Sequence, residues 1–176
     1  MKFNRNIIGW MLYDFANSAF TTIIVTVVYS VYFINNVVGG PAGYGEMLWG
    51  RAIGISMTLV AISAPIFGAV ADYSRAKKRM LFINCYITVI FTALLYFVKP
   101  GDVFIGMLFF IIANFGFNSA NVFYDAFLPE ICQPEDIGKV SGFGWSLGYV
   151  GGLVSLLVAL VLVKINVRLV FPAVAL

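Results

Sequence analysis

Histidine is absent from all 176 residues, and charge is scarce: Asp, Glu, Lys and Arg make up 11% of the chain against 61% hydrophobic residues. Soluble domains carry about 25% charge, so this composition excludes an ordinary water-soluble domain. The missing imidazole removes the commonest general base and metal ligand. Cysteine occurs twice. Cys85 lies inside an apolar run and Cys132 in a polar segment, which gives neither a disulfide framework nor a metal-ligand spacing. No metal and no cofactor is expected. The formal charge of +3 is small and divided among loops, leaving no basic stripe for nucleic acid. Without His, a Ser/Lys pair in one span or a metal cluster, the chain is not expected to be an enzyme.

What the chain has is apolar length. Its mean hydropathy is +0.96, and at ~20 residues per membrane span there is room for five or six helices and little else. The fold class read from this is an all-α membrane protein, one helical bundle over 1–176. Spans are expected at 7–34, 48–71, 80–98, 103–126 and 142–163, with a truncated sixth helix from 169. Gly39-Gly40-Pro41 with Gly43, and Lys99-Pro100-Gly101-Asp102, mark turns. The basic start Met1-Lys2-Phe3-Asn4-Arg5 resembles a signal-peptide n-region. No small-residue cleavage site follows, and Asp14 and Asn17 interrupt the apolar run, so a retained first span is expected. Pro65 suggests a kink in span two. Pro134-Glu135-Asp136 suits the opening of a short interfacial helix, and Ser141 an N-cap for span five.

Polar residues inside the spans are the informative feature. In span four, Asn114, Asn118, Asn121 and Asp125 recur at intervals of four, three and four. At ~100° per residue they share an arc of roughly 60°. A carboxamide facing lipid without a partner costs several kcal/mol, so this edge faces either a water-filled cavity or a neighbouring helix that it bonds as interhelical glue. In span one, Asp14, Asn17, Ser18, Thr21 and Thr22 cover an arc of about 140°. Asp14 stands out, because intramembrane carboxylates are rare and mark a pathway, a proton relay or a buried partner. The alternative is a helix-end carboxylate capped by backbone amides or paired with a loop cation.

Two further patterns concern packing. Gly144, Gly148 and Gly152 form overlapping small-xxx-small steps, joined by Gly151, and permit close helix contact. The Phe and Tyr residues read as lipid-facing or core, not as a ligand cage. Gly68 lies one turn before Asp72 and the basic loop Arg75, Lys77, Lys78, Arg79. That arrangement reads either as a close-approach point with a capping carboxylate or as a plain positive-inside loop. Basic residues set the orientation. Lys2, Arg5, Arg75, Lys77, Lys78, Arg79 and Lys139 fall on one side, seven in all, against four on the other, Arg51, Lys99, Lys164 and Arg168. The N-terminus is therefore expected in the cytoplasm.

Gly68…Asp72 with its basic loop resembles the major facilitator signature. Trp10-Met11-Leu12-Tyr13-Asp14-Phe15-Ala16-Asn17-Ser18-Ala19-Phe20, Tyr124-Asp125-Ala126-Phe127-Leu128-Pro129-Glu130 and Ser141-Gly142-Phe143-Gly144-Trp145 together resemble the unknown-major-facilitator branch, related to the fungal autophagy-related vacuole effluxers. The resemblance implies the N-terminal six-helix half of a twelve-span secondary transporter working by alternating access. A small polar solute is implied, amino acids being the fungal example. Asp14, Asn17, Ser18, Asn114, Asn118, Asn121 and Asp125 would line the substrate or proton path. Gly68, Asp72, Arg75, Lys77 and Lys78 would act in gating, and Gly144, Gly148, Gly151 and Gly152 in packing. The partners implied are membrane lipid, the missing C-terminal half and the solute, in a bacterial plasma (inner) membrane. The other reading is a truncated, non-transporting membrane protein that serves as an assembly partner or is an inactive remnant.

Two expectations can be tested directly. By rise per residue, Asp14 lies about 10 Å and Asn121 and Asn118 about 7 and 12 Å from one surface. All three should point into the bundle, with Asp14 in or beside a polar cavity bordered by span four and Asp125 more solvated. Cysteine placed at Gly43 should react with impermeant reagent outside intact cells, whereas cysteine at Ser74 should not. The reverse pattern would invert the topology.

Overall fold

The computed structural model describes residues 4–73 and 76–175. Among them, five helices are long and apolar enough to cross a membrane, and no strand occurs. They are α1 (Arg5–Val38), α2 (Tyr44–Tyr73), α3 (Lys77–Leu94), α4 (Val103–Asp125) and α5 (Ile137–Ile165); the short α6 (Val170–Ala175) follows. The all-α class read from the sequence holds, as does its layout of five spans and the start of a sixth. Helix ends lie a few residues from the expected positions. Pro134–Asp136 is a single 3₁₀ turn running straight into α5. Ser141 therefore sits inside the helix and cannot cap it.

Local chemistry explains the boundaries. Asn4 caps α1 by accepting from the Ile7 backbone N–H at 2.8 Å. Gly39, Gly40 and Gly43 all take positive φ between α1 and α2, and Gly101 does so between α3 and α4, a conformation costly for residues with a Cβ. The α3–α4 turn is closed by the Asp102 carboxylate, which accepts from the Lys99 N–H at 3.0 Å.

The first span is not a regular α-helix. It widens into π-helix over Phe20–Val27 and again over Phe33–Val38. The first wide stretch coincides with Thr21-Thr22-Ile23-Ile24-Val25-Thr26-Val27-Val28, eight β-branched residues in a row. Such residues crowd their i+3 and i+4 neighbours, and widening the turn relieves that crowding. The Val28 N–H bonds the Ile23 carbonyl at 2.8 Å, and the Thr26 hydroxyl bonds the Thr21 carbonyl at 2.9 Å, both five residues back.

In space, α1 packs on α5, α3 on α4, α2 on α4, and α6 on α3. Lipid supplies little hydrophobic drive for such contacts, which rest on close packing and hydrogen bonds. At the end away from Asn4, Tyr29, Phe33, Trp49, Phe110 and Phe171 form an aromatic core. Tyr29 donates from there to the Gly106 carbonyl at 3.0 Å. At the Asn4 end, Ile7, Trp10, Met11, Tyr124, Leu128 and Val140 form a second core.

Glycines set the closest contact. A Cβ on Gly144 would lie 2.5 Å from the Trp10 ring, on Gly148 2.7 Å from the Ser18 hydroxyl, and on Gly152 2.8 Å from the Thr22 hydroxyl. On Gly151 it would collide with the Phe15 carbonyl. Gly68 differs: a Cβ there meets nothing within 4 Å. Of the two readings open at Gly68, the close-approach one finds no neighbouring helix among the described residues.

Gly151→Ala should destabilise the 176-residue protein by about 1–3 kcal/mol through overpacking, read as its unfolding midpoint in micelles. Gly142→Ala, where a Cβ meets nothing within 4 Å, should leave the midpoint unlowered or raise it slightly through helix propensity. Equal effects would mean that α5 does not lie on α1 as described.

Candidate functional site: a polar cavity between three helices

The α1–α5 contact turns the polar face of α1 along the glycine edge of α5, and α4 closes the third side. A cavity of about 560 Å³ lies among them. From α1 it is lined by Asp14, Asn17, Ser18, Thr21 and Thr22, and from α4 by Phe117, Asn121, Tyr124 and Asp125. From α5 come Trp145, Gly148, Tyr149, Gly152, Leu153 and Leu156. Asp14 and Asn121 thus share one cavity although more than a hundred positions separate them. Asp125 is exposed, whereas Asp14 is half-buried.

The α4 stripe divides between the two readings open from sequence. Asn121 takes the cavity side, where its Oδ1 accepts from Asn17 Nδ2 at 2.9 Å. Asn114 is buried and donates to the Ser56 hydroxyl at 2.7 Å, which joins α4 to α2. Asn118 bonds back along its own helix, donating to the Asn114 carbonyl at 2.8 Å. Neither Asn114 nor Asn118 lines the cavity. The physical reason is the arc itself: roughly 60° of helix is wide enough to touch α2 with one edge and the cavity with the other. Within α1, the Ser18 hydroxyl donates to the Asp14 carbonyl at 2.8 Å and the Thr21 hydroxyl to the Ser18 carbonyl at 3.1 Å. These bonds satisfy the donors of both hydroxyls within α1.

Below the cavity α1 and α4 are clasped. The Trp10 indole N–H donates to the Tyr124 carbonyl at 3.0 Å, and the Tyr124 hydroxyl donates to the Trp10 carbonyl at 3.2 Å. Their rings stack at 4.4 Å, 8° from parallel, and Tyr13 stacks on the other face of the pair at 4.7 Å from Tyr124. The two longest motif stretches in the sequence therefore meet in space.

Of the residues read as gating elements, Lys77 is buried rather than lying loose in a loop. Its ammonium donates to the Ala126 carbonyl at 3.0 Å and pairs with Glu130, which anchors the start of α3 to the end of α4. Lys78 lies over the Phe82 ring at 5.9 Å, and Asp72 is exposed at the end of α2. Arg75 lies outside the described residues.

Sequence reasoning missed Trp145 and Tyr149 as cavity residues, along with Glu130 as the partner of Lys77. A signal for the aromatics was present. Once Gly144, Gly148 and Gly152 face α1, Trp145 and Tyr149 lie about 100° further round, at the mouth of the groove beside it.

The chain was compared with known proteins. The model of the family described as vacuole effluxer Atg22-like matches residues 51–168. The uncharacterised MFS-type transporter YxiO of Bacillus subtilis (strain 168) is 31% identical over 164 residues, covering 92% of this chain and 38% of that protein. The chain thus spans well under half the length of the relative it matches. No solved structure matches the chain.

The division of the stripe has a measurable consequence. Asn114→Ala removes the α4 donor to the buried Ser56 oxygen, whose own bond to the Ile53 carbonyl at 2.9 Å remains, and should cost about 1–3 kcal/mol of stability. Asn121→Ala opens its partner Asn17 to a polar cavity where water can replace it, and should cost less than about 1 kcal/mol. Unfolding in micelles compares the two. The opposite order would make Asn121 the glue.

Proposed function

The chain belongs to the vacuole effluxer Atg22-like family, and on that premise we propose that it forms one wall of the solute path in a secondary transporter. The observation that carries this reading is the cavity itself. Polar side chains of α1 and α4 surround it within the membrane span, Asp14 lying about 14 Å along α1 from Arg5 at 1.5 Å per residue. In lipid such groups are costly unless they face protein or water, and a cavity near the midplane is where alternating-access transporters hold their solute. The transported species is a small polar solute, with amino acids as the candidate class that the resemblance to the fungal vacuole effluxers implies.

On this reading a second helical bundle supplies the opposite wall. The outer side of α2, where Ile55, Ile62 and Ile66 are exposed, and the α5 aromatics are the surfaces it would meet or share with lipid. Gly68 and Asp72 then serve a contact made with that second half, which accords with the open space beside Gly68. The clasp of Trp10 with Tyr124 and the anchoring of Lys77 support a rigid unit, as a rocking half requires. The 176-residue chain by itself should move no solute, because half the path's wall is supplied from elsewhere.

The test is water access to the cavity. In a variant whose two native cysteines are replaced, Leu153→Cys should react with a neutral, hydrophilic methanethiosulfonate at least about tenfold faster than Val154→Cys. Leu153 lines the cavity; Val154 is exposed away from it, about 100° round the helix. Equal, slow reaction at both positions would mean that the cavity holds lipid or is closed, and would remove the solute path.

A further inference from the structure

The charge on the cavity wall is one-sided. Asp14 and Asp125 line it, and no Lys or Arg is among its lining residues. Among the described residues the ion pairs lie elsewhere, Lys77 with Glu130 and Lys139 with Asp136, so neither cavity carboxylate has a cationic partner. Carboxylates within a membrane span are expensive and call for a compensating group. An anionic solute would add a like charge to the same space.

The aromatic wall adds a second, independent observation. Trp145 is 65% and Tyr149 74% exposed, and they sit edge to face with centroids 6.4 Å apart at 66°. Ring faces attract organic cations that come within about 6 Å. Volume separates the possible cations. About 560 Å³ falls in the range of roughly 300–1,000 Å³ typical of small-molecule sites, and is far larger than one inorganic ion needs. Beyond their mutual bond, Asn17 and Asn121 each keep another amide atom to orient a polar substituent.

We propose that this cavity selects a cationic amine, its ammonium held between Asp14 and Asp125 and its apolar part against Trp145 and Tyr149. The inference rests on the cavity being the solute path proposed above. It goes further by fixing the sign of the solute's charge and naming Trp145 and Tyr149 as specificity-determining residues. For a solute that also carries a carboxylate, this wall takes the amine end, and the acid must be met by the opposite wall.

The 176-residue protein with Leu153→Cys, in nanodiscs and without native cysteines, tests both claims. Its reaction is followed with trimethylammonioethyl, hydroxyethyl and sulfonatoethyl methanethiosulfonates, each corrected for its rate with free thiol. The cationic reagent should outpace the anionic one by about tenfold or more, as two nearby carboxylates require. Asp14→Asn and, separately, the exposed-site variant Asp125→Asn should each lower that ratio. 2-Phenylethylammonium should slow the neutral reagent at least threefold, whereas 2-phenylethanol should not, and Trp145→Ala should weaken the protection.

Equal rates for cation and anion, with the neutral reagent still reacting, would overturn the amine and leave the solute path standing. Failure of the neutral reagent to react faster here than at Val154→Cys would overturn both. Protection by the alcohol equal to that by the ammonium, or none by either, would overturn the amine even with a charge-selective rate. Equal protection by sodium would assign the carboxylates to an inorganic cation instead.

Discussion

The bundle depends on how closely α5 can lie on α1. Helices in lipid gain little from hiding apolar surface, since the solvent is as apolar as they are, and they associate through close packing and hydrogen bonds. Gly144, Gly148, Gly151 and Gly152 strip one face of α5 to its backbone, and the polar face of α1 fills the space left. Trp10, Ser18 and Thr22 stand where those missing Cβ atoms would be. Asp14 and its neighbouring hydroxyls are thereby turned from lipid towards the interior. Packing and polarity are one arrangement here, because the contact that holds the helices also creates the polar wall.

Helix α4 stands between this pair and the rest. It packs against both α2 and α3 and is tied to α1 at two heights. Tyr124 with Trp10 forms the lower tie and Asn121 with Asn17 the upper one. Lys77 adds a third fixed point by joining the start of α3 to Ala126 and Glu130. Helix α2, in contrast, has only 6% of its most apolar stretch buried within the chain, although Asn114 secures it through Ser56. The molecule is therefore firmly built around the cavity and open along α2 and the outer side of α5.

Much of this was legible in the sequence because membrane helices obey few and stringent rules. Apolar length gave the spans, and the periodicity of Asn114, Asn118, Asn121 and Asp125 gave an edge turned from lipid. Periodicity fixes direction but not neighbours, so it could not separate Asn114, which bonds α2, from Asn121, which meets the cavity. The same limit hid Glu130 from Lys77, since an ion pair between positions 53 residues apart depends on where two helices end. The first widened stretch of α1 had a local cause in the β-branched run Thr21–Val28. That run reads in sequence as a good membrane segment, and its crowding shows only in the backbone. Tyr149 reads in sequence, with the other tyrosines, as lipid-facing or core, and Trp145 only as a neighbour of the glycines; the glycine stripe beside them was the clue to their position at the cavity.

The central claim is that water, not lipid, fills the space among α1, α4 and α5. Tyr149 and Tyr86 provide an internal comparison, since both lie near the middle of their spans and are 74% and 63% exposed. Only Tyr149 borders the cavity. Hydroxyl-radical footprinting of the protein in nanodiscs should oxidise Tyr149 at a rate close to that of a water-exposed tyrosine such as Tyr44 and leave Tyr86 protected by lipid. Equal protection of Tyr149 and Tyr86 would contradict the account, because the polar face of α1 would then line no aqueous cavity.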